Sequence, residues 1–288
     1  MSAMSPVRYA ERYLNLQVSF DDGPKTVGIT KYHIGDPDSE QGLLWQALKE
    51  HVQKNQKSPG WRLRLRVNGE PAEFSNAEEL RYRVVSPFYG KGSPEDCQIV
   101  LQLAVLLRPN VGKSTLQAYC NSHLGLDCNG FVGNYIFRVL RGNGWRSNVS
   151  DSAIGPSSTI TQIMNGPGGV VVHDVDEMVP NRLYVLAEVD SSNRIIPGGP
   201  SSTPGHIVIT EPGRYINSFM SMNLDPAVSG AVGNPAFWGA ESTGGIGLVQ
   251  SWYVIRQLTN GGRPVDGVFR VLRGSKNQLL NFRIIALG

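Results

Sequence analysis

The chain has 288 residues, of which 40% are hydrophobic and 18% are charged, and its formal net charge is +3. This composition is typical of a folded globular protein, and so small a charge gives no reason to expect a nucleic-acid partner. The three cysteines give no disulfide framework and favour a reducing compartment. The N-terminus lacks the apolar stretch of a signal peptide, and no apolar run reaches the ~18 residues of a membrane span.

The first 108 residues are predicted to form a small α+β region. Alternating apolar and polar side chains predict strands at Tyr13–Phe20 and Trp61–Val67. The Asn-Gly pair after the second strand predicts a hairpin. Between the two strands, apolar residues spaced three and four apart predict a helix from Glu40 to Lys54.

The pattern at the end of this region is less regular. Residues 86–95 are rich in turn-forming residues and are predicted to be a loop. The apolar run Ile99–Leu107 predicts either a buried strand or a buried helix, which its periodicity does not distinguish. Residues 113–123 are predicted to form a helix that leads into a cysteine motif.

Residues 109–288 are predicted to form a second region, built from helices and strands. Segments rich in Ser, Gly and Pro predict surface loops at 148–169 and 191–205. Apolar runs predict strands near 170–173, 182–189, 206–210, 247–256, 267–272 and 280–287.

Cys128 lies at the predicted start of a helix, which apolar residues at three- and four-residue spacing continue as far as Gly142, a stop signal. Asp127 is predicted to be the N-cap, so Cys128 lies in the first turn, where unpaired N–H groups and the helix dipole favour an anion. We therefore expect the pKa of the Cys128 thiol to lie below its ordinary value of ~8.5. Gly130 and Gly133 are poor helix formers and predict a close backbone approach, as when a helix start is pressed against a sheet.

The segment D-C-N-G-F-V resembles the nucleophile motif D-C-S-G-[FL]-V of the NlpC-type cysteine peptidases, a papain-like family of cell-wall hydrolases. Asn129 stands where the family has a serine. The segment P-G-H-I-V-I, Pro204 to Ile209, resembles the family's histidine strand. The resemblance covers roughly residues 112–287. It implies a papain-like α+β fold in which a helix packs on an antiparallel sheet.

The resemblance implies a catalytic triad in the chain order cysteine, histidine, polar residue. Cys128 would be the nucleophile and His206 the general base, and Glu241 would orient the imidazole. Asn217 is the alternative third residue, and His173, which also ends a predicted strand, is the alternative base. A purely structural role is the alternative for each member of the triad. Cys128 would then be an inert buried thiol, His206 a strand-edge histidine in contact with solvent, and Glu241 an exposed side chain beside a turn.

Three further residues are implied to line the site, namely Tyr119, Asp127 and Asn129. A tyrosine upstream of the cysteine often lines the family's site, where it assists the oxyanion. Core packing is the alternative for Tyr119, and helix capping is the alternative for Asp127. Cys97 and Cys120 lack any motif context, so we expect both to be structural.

Two other segments bear a weaker resemblance to binding motifs. The segment R-P-N-V-G-K-S-T has Leu107 where a phosphate-binding loop needs its first glycine. The segment H-D-V-D-E, residues 173–177, clusters acids, but no second cluster has the spacing of metal ligands. We therefore expect neither a cofactor nor a metal.

The sequence therefore predicts a cysteine hydrolase that cleaves amide bonds, and the resemblance implies an endopeptidase or amidase of peptidoglycan stem peptides. We expect a protein that is cytoplasmic as synthesised and exported or injected by a non-classical route. A delivered antibacterial effector or a phage-associated lysin fits that setting, with an immunity or delivery protein as partner. The alternatives are an acyltransferase, deamidase or protease acting on a cytoplasmic protein, and an inactive binding module.

Overall fold

A computed structural model of the chain describes residues 4–33, 39–142, 154–166, 168–197, 205–216 and 234–287. Helices and antiparallel sheets combine in it, which confirms the predicted α+β class. The helices are α1 Pro6–Leu14, α2 Ser39–Asn55, α3 Arg81–Val85, α4 Pro94–Leu107, α5 Leu116–His123, α6 Cys128–Tyr135 and α7 Ile160–Met164. The strands are β1 Leu16–Val18, β2 Lys25–Val27, β3 Leu63–Val67, β4 Glu70–Phe74, β5 Gly169–Val171, β6 Leu183–Glu188, β7 Ile207–Ile216, β8 Ala236–Thr243, β9 Gly247–Asn260, β10 Arg263–Arg273 and β11 Gln278–Leu287.

Strands β6 to β11 form a closed antiparallel barrel. Each strand pairs with the next along the chain, and β11 pairs with both β10 and β6. The closure occurs at Phe282, which lies opposite Phe269 of β10 and opposite Glu188 of β6. Closure leaves the barrel strands without an open edge along this ring.

Side-chain alternation along the strands separates the barrel interior from the face that carries the helices. In β6, Tyr184 and Leu186 belong to the interior cluster, whereas Val185 and Ala187 belong to the larger core shared with the helices. The same alternation places residues on one face of β7 against α6. The start of α6 is therefore fixed against the outside of β7 and β8.

Helix α1 corrects the predicted strand at Tyr13–Phe20, because Tyr13 and Leu14 end the helix and β1 spans only three residues. Ser5 caps the helix, and Tyr9 and Tyr13 lie four residues apart on its buried face. Both rings pack against Phe131 of α6. The spacing of these two tyrosines is therefore that of one helix face, not the alternation of a strand. Residues on both sides of position 108 thus share one hydrophobic core.

Helix α4 settles the ambiguous run Ile99–Leu107, which is helical. Ser93 and Asp96 form a capping box at its start, and Pro94 occupies the first turn. The predicted loop at 86–95 is wrong for most of its length, because residues 86–89 form a 3₁₀ helix and α4 begins at Pro94. Almost every residue of α4 is buried, which explains why its apolar residues show no one-sided stripe.

The predicted hairpin and the other two helices predicted before the cysteine motif are confirmed. Strands β3 and β4 form the predicted hairpin, with Asn68 and Gly69 at positive φ in its turn. Helix α2 matches the predicted Glu40–Lys54, and α5 lies within the predicted 113–123.

The strands predicted in the second region all overlap strands of the structure. The segment predicted as a loop at 148–169 contains α7, which a capping box of Thr159 and Gln162 begins, so that part of the prediction is wrong. Residues 148–153, 167 and 198–204 of the two predicted loops lie outside the described residues. Within the part of the chain that the structure describes, no helix is long and apolar enough to cross a membrane.

Candidate active site

Asp127 fixes the start of α6 and confirms the predicted N-cap. Its carboxylate accepts from the Gly130 N–H and lies 2.5 Å from the Lys91 ammonium. Gly130 and Gly133 allow a close approach of backbone to α6, as predicted, but the approaching backbone belongs to loops and not to a sheet. A Cβ on Gly130 would collide with the Gly90 carbonyl, and one on Gly133 would collide with Gly155.

The Cys128 thiol lies against the backbone on both sides of His206. Its sulfur is 3.8 Å from the Gly205 carbonyl oxygen and accepts a hydrogen bond from the Ile207 N–H. The Asn129 side-chain oxygen lies 3.4 Å from the same sulfur. The contact between α6 and β7 therefore seats the thiol of the predicted nucleophile on the backbone that flanks the predicted base.

The thiol is more buried than the sequence led us to expect. Cys128 is only 4% exposed, and burial followed by the Asp127 carboxylate raises its thiol pKa to about 12. The Ile207 N–H, Lys91 and Tyr32 oppose this rise. The expected lowering of the pKa is therefore wrong, because desolvation of the thiolate outweighs the helix start.

His206 and Glu241 contact one another inside one end of the barrel. Nε2 of His206 meets Oε2 of Glu241, and both side chains are buried. Burial would raise the pKa of Glu241, but His206, Arg273 and Ser275 together lower it to about 2. Burial lowers the pKa of His206 despite the opposing effect of Glu241. A neutral imidazole whose Nε2–H is held by a carboxylate has Nδ1 available as a base.

Arg273 and Ser275 complete this cluster, and the sequence analysis missed both. The Nη2 atom of Arg273 lies 2.8 Å from Glu241 Oε2, 3.0 Å from His206 Nε2 and 3.0 Å from Thr243 Oγ1. The Ser275 hydroxyl donates to the other carboxylate oxygen of Glu241. Arg273 shares the inward phase of β10 with Phe269 and Val271 in the barrel core. The alternation of side chains along β10 places this arginine at an inward position together with apolar core residues. A charged residue at such a position indicates a buried ion pair, and the sequence alone could have shown it.

The tyrosine that contacts Cys128 is Tyr32, not the predicted Tyr119. The Tyr32 hydroxyl donates to the sulfur of Cys128, and burial raises the pKa of this hydroxyl. Tyr119 instead donates to Glu40 Oε1 at 3.1 Å, and its ring lies against His123. No spacing pattern linked Tyr32 to the cysteine motif, because it reaches the site from an irregular segment next to β2.

The other predicted residues lie in different surroundings. His173 is paired with Asp266 at 2.8 Å on an exposed part of the surface. Asn217 lies outside the described residues. Cys97 and Cys120 are buried, and burial raises the pKa of each thiol. Among the residues that the structure describes, no group of three His, Cys, Asp or Glu side chains is placed to hold a metal ion.

Comparison of the chain with protein-family models, with curated proteins and with solved structures finds no match.

Proposed function

We propose that the protein is a papain-like cysteine amidase or endopeptidase. Cys128 is the nucleophile, Nδ1 of His206 is the general base, and Glu241 orients the imidazole through Nε2. The observation that carries the proposal is the thiol seated on the backbone around His206, whose ring contacts Glu241 through Nε2. A helix that opens with a cysteine and packs on an antiparallel barrel also supports the resemblance to NlpC-type peptidases.

The reaction follows from these positions. As the Cys128 sulfur attacks the carbonyl carbon of an amide, the thiol proton moves to Nδ1 of His206. The resulting oxyanion is stabilised by N–H groups at the start of α6, which have no intrahelical acceptor, and by the Tyr32 hydroxyl. Cleavage of the C–N bond gives the Nδ1 proton to the leaving amine and leaves a thioester. Water then hydrolyses the thioester, giving one proton to Nδ1, from which it returns to the sulfur.

The substrate that this proposal assigns is a peptide bond of a peptidoglycan stem peptide. The support for it is the D-C-N-G-F-V segment and the seating of its cysteine next to the P-G-H-I-V-I segment. A delivered antibacterial effector or phage-associated lysin is the setting we propose, with an immunity or delivery protein as partner.

The test is digestion of purified sacculi, with the released muropeptides identified by mass spectrometry. We expect the wild type to release cleaved stem peptides and Cys128→Ala to release none. Cys120→Ala, which removes another buried thiol, is the matched control and should keep the activity. Cleavage by Cys128→Ala would refute the mechanism. A wild type that leaves sacculi intact but modifies a cytoplasmic protein through Cys128 would reassign the substrate to acyl transfer, deamidation or proteolysis.

A further inference from the structure

The guanidinium of Arg273 occupies a place in the barrel that catalysis by a cysteine, a histidine and a carboxylate does not require. Its Nη2 atom lies within 3.0 Å of three groups, Glu241, His206 and Thr243. The side chain is 4% exposed, so water screens its charge weakly. A buried cation this close to an imidazole acts on the protonation of the ring.

Hydrogen bonding explains how the cation is arranged. Nη2 carries two hydrogens, which point to Glu241 Oε2 and Thr243 Oγ1 when His206 donates its own Nε2–H to Glu241. The remaining short distance, 3.0 Å between Arg273 Nη2 and His206 Nε2, is then a contact between a cation and a ring nitrogen without a hydrogen bond. A proton added at Nδ1 would place two positive charges side by side in a buried space.

The carboxylate between these two groups cannot turn away to serve only one of them. The Ser275 hydroxyl donates to Oε1 of Glu241, while Oε2 faces both His206 and Arg273. One negative charge is thus shared between an imidazole and a permanent cation. If Glu241 were paired with His206 alone, the whole negative charge of its carboxylate would stabilise the imidazolium.

Other charged and titratable groups also face His206 or its partners. They are Glu241 of β8, Arg273 at the end of β10, Lys276 in the turn after it, Tyr253 of β9, Glu188 of β6, Cys128 of α6, Asp127, Lys91 and Tyr32. Lys276 adds a second positive charge and so acts in the same direction as Arg273.

We propose that Arg273 is a positioning residue whose charge offsets part of that of Glu241, so that the buried imidazole of His206 stays neutral until a substrate binds. This inference rests on the proposed function in taking Cys128 and His206 as the reacting pair. The resting protein then holds an uncharged thiol and imidazole instead of a thiolate and an imidazolium. The proton moves from sulfur to Nδ1 only together with attack on the carbonyl, and the nucleophile is protected from alkylation and oxidation meanwhile.

The test is the rate of alkylation of Cys128 by iodoacetamide between pH 5 and pH 10, read by peptide mass spectrometry on the wild type, Arg273→Gln and Arg273→Lys. The wild type should react slowly below pH 8. In Arg273→Gln, the negative charge of Glu241 is no longer shared with a cation and stabilises the imidazolium of His206. At pH 6 we therefore expect alkylation of Cys128 to be at least about tenfold faster, which is the change that one pKa unit produces. Arg273→Lys keeps the charge and should follow the wild type. Continued protection of the buried Cys97 and Cys120 shows that each variant is folded.

A profile of folded Arg273→Gln that superimposes on the wild type would overturn the proposal. Should Arg273→Gln unfold, ¹⁵N NMR of the histidine rings in the wild type decides. A neutral His206 with hydrogen on Nε2 at pH 6 is expected, and an imidazolium at that pH contradicts the role. These measurements contain no substrate, so they stand or fall separately from the cleavage of sacculi by Cys128.

Discussion

The hydroxyl of Tyr32 donates a hydrogen bond to the sulfur of Cys128. The tyrosine reaches the site because Lys31 and His33 pair with Leu126, just before the helix that Cys128 opens. An O–H donor at the nucleophile can turn to the oxygen of the tetrahedral intermediate once the sulfur has formed its bond to carbon.

The first prediction concerns this donor. We expect Tyr32→Phe to lower kcat by about 10- to 100-fold with little change in KM, because the lost hydrogen bond acts mainly in the transition state. Steady-state kinetics on a purified muropeptide measures both constants. Tyr119→Phe removes a hydroxyl that binds Glu40 and is the matched control, with expected kinetics close to the wild type. Equal losses in the two variants would contradict a special role for Tyr32.

Cys128, His206 and Glu241 were named because the segments around them resemble a known family, and the structure brings His206 and Glu241 into contact. The cap at Asp127 and the start of α6 followed from capping and helical spacing. Tyr32 could not be found in this way, because no period governs an irregular segment. The state of the thiol was also beyond the sequence, since burial depends on how closely α6, β7 and Tyr32 approach one another.

Arg273 is an intermediate case. Its phase along β10 places it inside the barrel with Phe269 and Val271, which a reading of alternation could have detected. Its partner could not be named, because Glu241 lies on β8, which is separated from β10 by β9. The ion pair of Arg273 and Glu241 joins the two strands that flank β9, and no local pattern encodes such a contact between strands that are not paired.

The second prediction separates the two effects of Asp127, which caps α6 and adds a negative charge near the thiol. Asp127→Asn keeps an oxygen for the Gly130 N–H but removes the charge that helps to raise the pKa of Cys128. We expect alkylation of Cys128 at pH 8 to become about three- to tenfold faster, since a tenfold change corresponds to one pKa unit. Asp127→Ala should additionally lose about 1 kcal/mol of unfolding free energy, measured in urea, because the cap is lost. An unchanged alkylation rate in Asp127→Asn would show that the charge does not act on the thiol.

The third prediction is a pH dependence of stability that originates in Glu241. Its pKa in the folded protein is about 2, below the ordinary 4.5, so its stabilising contribution is present above pH 4.5 and is lost as the pH falls through 2. At pH 7 we expect Glu241→Gln to lower the unfolding free energy by about 3 kcal/mol, because Arg273 is left as a buried unpaired cation. The deficit should shrink as urea unfolding is repeated toward pH 2.

The control for this prediction is Glu73→Gln. Glu73 forms an exposed ion pair with Arg64, and such pairs contribute only about 0.2–1 kcal/mol. A deficit of Glu241→Gln that matches the control, or one that stays constant from pH 7 to pH 2, would count against a buried ion pair at Glu241.

The fourth prediction concerns Gly130, where two physical effects have opposite signs. Alanine is the better helix former by about 1 kcal/mol, but a Cβ at this position would collide with the Gly90 carbonyl. Gly90 also accepts from the Asp127 N–H, so that carbonyl is held in place. We therefore expect Gly130→Ala to lose about 1–3 kcal/mol of unfolding free energy, as overpacking does. Gly42→Ala in α2, where the added methyl meets open space, should instead gain up to about 1 kcal/mol. Thermal and urea unfolding of the two variants give the signs directly, and a gain in both would mean that α6 can move away from Gly90.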